Sequence, residues 1–159
     1  MSAFVRTTND EELRLRLNAA FAVGQLFAGT AVNPCNFVLF NPASTGPVSC
    51  IVTQIRLSLS IANSFTLFFV AADPGLAAGN TPSNRNRNAV VGSTMKWEVA
   101  VGALAIANTI SAGQLAPGIP NTLLYPDTIL LPQATGLVVQ FPALVDNLFV
   151  SMSWYELIA

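Results

Sequence analysis

Thr128 to Glu156, TILLPQATGLVVQFPALVDNLFVSMSWYE, carries the densest strand signal in the chain. From Leu148 onward the period is two: Leu148, Val150, Met152 and Trp154 fall on one side, and Phe149, Ser151, Ser153 and Tyr155 on the other. Residues two apart share a face only in an extended strand, so this segment presents a continuous apolar ridge ending in a tryptophan. Upstream, Gly136 with the preceding Ala-Thr supplies a turn before Leu137-Val138-Val139-Gln140. Pro142 ends that run, and Asp146-Asn147 makes the next turn. A terminal strand this regular needs a neighbour on each side and a facing sheet to cover its ridge. The stretch therefore predicts an antiparallel sandwich whose last strand lies inside a sheet.

The same pattern extends backward. Leu123–Tyr125 is a short strand followed by a Pro126-Asp127 turn, and Ala116–Asn121 is a loop. Met95, Trp97, Val99 and Val101 alternate with Lys96, Glu98, Ala100 and Gly102, and Leu104–Ile110 continues that run in small and β-branched residues. Leu76–Asn88 has no period and reads as a loop, while Ser64–Val70 is a strand closed by Asp73-Pro74-Gly75. Asn33-Pro34 opens a predicted hairpin, with Asn36–Phe40 going out, Asn41–Pro47 turning, and Val48–Ala62 returning. In the return strand Ile51, Ile55, Leu57, Leu59 and Ile61 share an inner face on which Thr53 is the one polar member. Cys50, Val52, Gln54, Arg56, Ser58 and Ser60 lie opposite. Near the start, Leu13, Leu15 and Leu17 alternate with Arg14, Arg16 and Asn18, and Ala19, Phe21 and Val23 continue the inner face. A helix is the alternative there, because Asn9 followed by Glu12 imitates a capping box.

Eight to ten short strands with turn residues between them, and no long helix, make an all-β chain. The expected architecture is an antiparallel β-sandwich, jelly-roll-like, over residues 13–159 as one domain. Residues 1–12 precede it as an extended N-terminal arm. Fully extended, such an arm spans roughly 40 Å, against a radius of gyration of about 15 Å for the domain. Phe4, Val5 and Arg6 on the arm, Leu13 and Leu15 after it, and Arg85 and Arg87 in the 76–88 loop are the candidate interface residues. The bland alternatives are a frayed terminus and a solvated loop tip.

Composition narrows the function classes. Seven basic and eight acidic residues are 9 % of the chain, where about 25 % is usual. Apolar residues are 52 %. So few charges cannot cover a monomer in the ordinary way, which implies that other protein covers part of the surface. A net charge of −1 argues against nucleic acid, whose phosphates require a clustered basic excess. The most apolar stretch, Leu57–Ala72, is interrupted by Ser58, Ser60, Asn63 and Ser64. It falls short of the roughly 20 apolar residues of a membrane span. The opening MSAFVRTTNDEELR lacks the basic and apolar blocks of a signal peptide.

No catalytic constellation emerges, and the expectation is a protein that is not an enzyme and carries no cofactor or metal. Histidine is absent, which removes the side chain most used near neutral pH for proton transfer and for metal ligation. Glu98 and Glu156 form a glycosidase-like pair only if the fold brings them together; otherwise they are strand-end charges. Cys35 and Cys50 flank the Asn41–Pro47 turn, so a cross-strand disulfide and two free apolar thiols are both open, with free thiols favoured in a chain lacking a secretory signal. No nucleophile elbow or glycine-rich phosphate loop is present. Trp97 and Trp154 occupy alternating strand positions, which suits a core better than a sugar-binding platform.

The run Asn36 to Ile55, with its Asn-Pro-Ala-Ser-Thr-Gly-Pro turn before Ile-Val-Thr-Gln-Ile-Arg, resembles small virion proteins of tailed bacteriophages. So does the ending, Thr135–Gln140 leading to Val150–Glu156. The resemblance is greatest to capsid decoration (cement) proteins. It implies a structural virion protein that forms homo-oligomers, trimers above all, on a major capsid protein or another virion protein, located in the virion. The alternative within the same resemblance is a receptor- or carbohydrate-binding module of a tail or fibre.

Overall fold

The computed structural model describes residues 19–28, 30–31, 33–61, 63–86, 91–106, 108–118, 121–142, 144–145 and 147–157, with backbone only for 30–31, 121–128 and 144–145. Twelve strands and no helix occur among them: β1 (Ala20–Phe27), β2 (Thr30–Ala31), β3 (Cys35–Asn41), β4 (Ser49–Leu59), β5 (Asn63–Val70), β6 (Ser83–Asn84), β7 (Lys96–Val101), β8 (Thr109–Leu115), β9 (Asn121–Pro132), β10 (Thr135–Phe141), β11 (Leu144–Val145) and β12 (Leu148–Leu157). One five-stranded sheet runs β6-β1-β12-β4-β9 and the other β7-β3-β10-β5-β8, with β11 and β2 as a separate small pair. We call the first two sheets I and II.

The long strands pair in a nested series. β1 pairs with β12, β3 with β10, β4 with β9 and β5 with β8, all antiparallel. The chain is thus one long hairpin folded back near its middle and rolled up. Contacts of β12 with β4 and of β10 with β5 then join neighbouring windings into sheets. This is the winding of a jelly roll, as expected. The final strand does lie inside a sheet, between β1 and β4.

Between the sheets sits the core. Leu148, Val150, Met152 and Trp154 of β12 are all buried there and meet Phe37, Leu39, Phe141, Leu137 and Val139 among others from sheet II. Trp154 stacks on Phe21, ring centres 6.3 Å apart at 26°. Phe37 meets Phe141 edge-on and tilts against Trp97. Both tryptophans are therefore core residues.

Several local expectations are corrected. The segments 36–40 and 48–62 do not form a hairpin: β3 and β4 belong to opposite sheets, and the Asn41–Pro47 turn crosses from one to the other. The inner face expected of β4 is also wrong for its first half. Both partners of β4 skip Thr53, since Ser153 pairs with Gln54 and Trp154 with Val52, while Ile129 pairs with Val52 and Leu124 with Gln54. Thr53 is a bulge, and its hydroxyl donates to the Ser153 carbonyl at 3.2 Å. One extra residue flips the side-chain phase. Cys50 and Val52 consequently join Ile55, Leu57 and Leu59 in the core, whereas Ile51 is left on the outer face. Residues 104–110 do not continue β7; a connection intervenes, and β8 begins at Thr109. Strand β9 runs through the expected Pro126-Asp127 turn, with its register to β4 shifted there.

Gly136 is not the turn residue. The turn is Gln133-Ala134, with Ala134 in the left-handed region at φ 61°. Gly136 lies within β10 because no larger side chain fits: a Cβ there would sit 2.8 Å from Phe40 Cδ2 and 2.9 Å from Val70 Cγ2. Gly136→Ala is therefore expected to destabilise the sandwich by about 1–3 kcal/mol through overpacking. Urea unfolding should show a lower midpoint at unchanged slope, and an unaltered midpoint would contradict the packing described.

Candidate interaction surface

The carboxylates expected to be solvated are not. Glu98 of β7 and Glu156 of β12 are both buried, but they lie in different sheets with separate partners, so no glycosidase-like pair forms. Glu156 accepts the Trp154 indole N–H at 3.1 Å and the Ser93 hydroxyl, while the Met95 amide donates to Ser93 Oγ. It faces Cys50 across the β12–β4 ladder. Burial, reinforced by the Glu156 charge, raises the Cys50 thiol pKa well above its ordinary value. Burial likewise pushes Cys35 up to about 11. Both thiols are free, sit in different sheets, and are unreactive in this setting. No group of three metal-ligating side chains occurs among the described residues.

Each sheet also has an outer face, and the two differ. On sheet II, Val38, Phe40, Phe68 and Val138 form a second buried cluster capped by Leu76 and Leu104 from the chain's own connections. The 102–106 connection is tied down by the buried Gln140 and Asn36 side chains: Gln140 Nε2 donates to Asn36 Oδ1 at 2.8 Å and to the Leu104 carbonyl at 3.1 Å, and Asn36 Nδ2 donates to the Gly102 carbonyl at 2.8 Å. The 71–79 strap is tied to β7. Val99 N–H donates to Ala77 O and Gly79 N–H to Trp97 O, both at 2.9 Å. Leu76 N–H donates to Glu98 Oε2 at 3.2 Å, and Lys96 pairs with Asp73.

Among the described residues, sheet I has no such cap over most of its area. After the Thr53 bulge its outer face is built from the rows Leu26–Phe149–Ser58, Gly24–Ser151–Arg56 and Ala22–Ser153–Gln54. The row at one end, Ala20–Tyr155–Ile51, is buried; in the others Leu26, Phe149 and Arg56 are exposed and the rest are half-buried. Leu26 is 58 % exposed and Phe149 39 %, and the outward Leu130 and Leu157 are exposed as well. Gly24 lets the Phe149 ring lie flat, since a Cβ there would stand 3.1 Å from Phe149 Cζ. Arg56 is the one charged side chain in the β1, β12 and β4 rows of this face. A groove of about 530 Å³ runs along its margin between β1 and residues 80–83.

Of the residues singled out from sequence, Arg85 follows β6 and is exposed, its backbone N–H donating to the Ala20 carbonyl at 2.8 Å. Phe4, Val5, Arg6, Leu13, Leu15 and Arg87 lie outside the described residues. The open face was missed because its strands were placed in hairpins, which hides which rows become neighbours. No family model matches this chain, and neither a curated protein nor a solved structure does. No helix of the described residues is long and apolar enough to cross a membrane.

The strap carries a pH dependence. Burial, aided by the neighbouring Asp73 carboxylate, raises the Glu98 pKa from its ordinary value. Asp73 is lowered, first by its hydrogen bond from Lys96. A raised carboxyl pKa means the folded state holds its proton longer than the unfolded chain. Its contribution is complete at low pH and fades as pH rises through the folded value. Asp73 acts oppositely, losing its contribution as pH falls through its lowered value. Stability should therefore decline from mildly acidic to neutral pH in the wild type and decline less in Glu98→Gln, which keeps an oxygen for Leu76 N–H but cannot ionise. Urea midpoints across that pH range test this, and parallel curves for the two proteins would refute it.

Proposed function

We propose that this chain is a non-catalytic structural subunit that assembles with copies of itself through the outer face of sheet I. The observation behind this reading is the contrast between the two outer faces among the described residues: one is capped by the chain's own connections, and the other exposes Leu26, Phe149, Leu130 and Leu157 with few charges beside them. Strands about 4.8 Å apart rising about 3.4 Å per residue make the open face a patch on the order of 600 Å². That approaches the roughly 800 Å² each partner contributes to a standard interface. With Arg56 the one charge in its β1, β12 and β4 rows, this face meets other copies with little electrostatic cost, and its exposed Leu26, Phe149, Leu130 and Leu157 are the apolar surface whose burial drives association. A chain with 9 % charged residues suits a permanent neighbour better than a life as a free monomer.

At the finer level the proposal is a virion protein of the capsid decoration kind, trimeric, held to a major capsid protein or another virion protein with help from the N-terminal arm. Support comes from the jelly-roll winding, the low charge and the likeness of the two stretches quoted above. Many identical weak contacts on a lattice add through high local concentration, so no single contact need be tight. The carbohydrate-binding alternative needed an aromatic platform, and neither Trp97 nor Trp154 supplies one, since both are buried.

Sedimentation equilibrium of the full chain tests the subunit contact. The wild type should associate, and Ser151→Glu with Ser153→Glu should weaken association by several kcal/mol through like charges opposed across the interface, with the far-UV spectrum and unfolding midpoint retained. A wild type that stays monomeric at all accessible concentrations would end the proposal. For the virion layer, removing residues 1–12 should leave the unfolding midpoint unchanged while lowering occupancy on assembled particles. Unchanged occupancy would take the arm out of the account.

A further inference from the structure

Every open sheet has edges, and an edge strand presents alternate N–H and C=O groups with no partner. Sheets I and II have four edges between them, and three are obstructed among the described residues. The β6 edge is two residues long, and past it Asn80 occupies part of the β1 edge, its Nδ2 donating to the Gly24 carbonyl at 2.6 Å. The β9 edge is shifted in register opposite Thr53 and carries Pro126 and Pro132. The β7 edge is covered by the 77–79 strap, which bonds to Trp97 and Val99 and bridges at Ala78. The fourth, β8, has the sequence TISAGQL: no proline, no charge, and one register shift near its start, between Leu67 and Phe68 of its partner. Proline, charge, bulges and covering segments are the usual means of blunting an edge, and among the described residues β8 has only that single shift.

We propose that β8 is a second contact surface of this protein, at which the β8 strands of two copies pair antiparallel and join their sheets II into one continuous ten-stranded sheet. An unfilled row of backbone donors and acceptors is completed by another extended strand, so the chemistry of the occupant follows from the edge itself. A second copy is the favoured source of that strand. An antiparallel pair related by a two-fold axis is self-complementary, and a seven-residue strand overlaps its mate completely when its midpoint, Ala112, lies opposite itself. Ser111 then faces Gly113, Ile110 faces Gln114, and Thr109 faces Leu115, with no like charges opposed. The core-side residues of β8 at the centre, Ser111 and Gly113, are small, and the Phe65 ring already lies over Gly113, 3.0 Å from where a Cβ would stand. The new contact would therefore be held by its backbone ladder rather than by new apolar burial, which makes it weak and reversible. It is separate from the sheet I face and does not rest on it.

Cysteine cross-linking of the full chain tests this, because Cys35 and Cys50 are buried and give no background. Ala112→Cys should form a reducible dimer under mild oxidation at least about tenfold faster than Thr94→Cys, an exposed control, because pairing raises the local thiol concentration. The same rate should persist when Ser151→Glu and Ser153→Glu are added, which isolates β8 from the other face. Amide exchange of residues 109–115 should slow as concentration rises, and this effect should vanish in Ala112→Lys. Cross-linking no faster than at Thr94, exchange independent of concentration, or loss of cross-linking in the sheet I background would each overturn the proposal.

Discussion

Two-sided pairing of the last strand is the constraint on which the rest of this structure depends. β12 is hydrogen-bonded to β1 on one side and β4 on the other, and its inner row, Leu148–Val150–Met152–Trp154, is completely buried. Each such side chain contributes about 1.5–3 kcal/mol when removed from water, but only if the sheet beneath is closed by its neighbours. The Trp154 indole adds direction: its ring stacks on Phe21 of β1 and its N–H reaches Glu156. The first and last long strands are thereby fastened together, and every nested pair between them inherits its register. A fold wound this way joins distant parts of the chain before local ones are secure, which makes for slow folding.

How much of this could be read from the residues alone follows from the same geometry. Alternation in 148–155 and 95–99 was legible because a sandwich strand with one buried face repeats with period two, and the buried Met95, Trp97 and Val99 agree with it. Pairing was not legible, because Asn41–Pro47 has turn residues whether the chain reverses within a sheet or crosses to the opposite one. The Thr53 bulge was visible only as an unexplained polar residue on an apolar face. It cost the assignment of Cys50, Val52 and Ile51, since a one-residue insertion inverts every side chain before it. β8 was hidden by its small polar residues, for strand propensity says little where neither face is strongly apolar. The open face of sheet I depended on both the bulge and the pairing, so no reading of single segments reaches it.

The scarcity of charge takes on structure when placed in the fold. Two carboxylates, Glu98 and Glu156, are buried, each held by hydrogen bonds rather than by a cation alone. Burying a carboxylate is costly unless donors replace its water, and here the donors are an indole, a serine hydroxyl and a backbone N–H. Asn36, Asn41 and Gln140 do comparable work as neutral groups, tying loops to sheet II and joining the Asn41–Pro47 crossing to β9 through Asn41 Nδ2 and the Leu131 carbonyl at 2.9 Å. Polar contacts of this kind fix the connections without needing a charged exterior. Glu98 responds to pH, and it does so at the strap that closes the β7 edge.

That strap also bears on how copies can meet. Blocking β7, truncating β6 and distorting β9 leaves each molecule one unobstructed edge among the described residues, and an edge that pairs with its own two-fold mate is used up in doing so. Chains with two open edges can add copies without limit, which is the route to fibres. A molecule with one can form a single ladder and then stop. Growth beyond a pair would have to proceed through a different surface, and the outer face of sheet I, if it is that surface, would join neighbours without extending strands. A contact on that face combined with the self-limiting pairing proposed at β8 would give an ordered array with no continuous cross-β core. An all-strand protein with so few charges therefore needs no charged surface to avoid runaway aggregation, provided three of its four sheet I and sheet II edges stay shut.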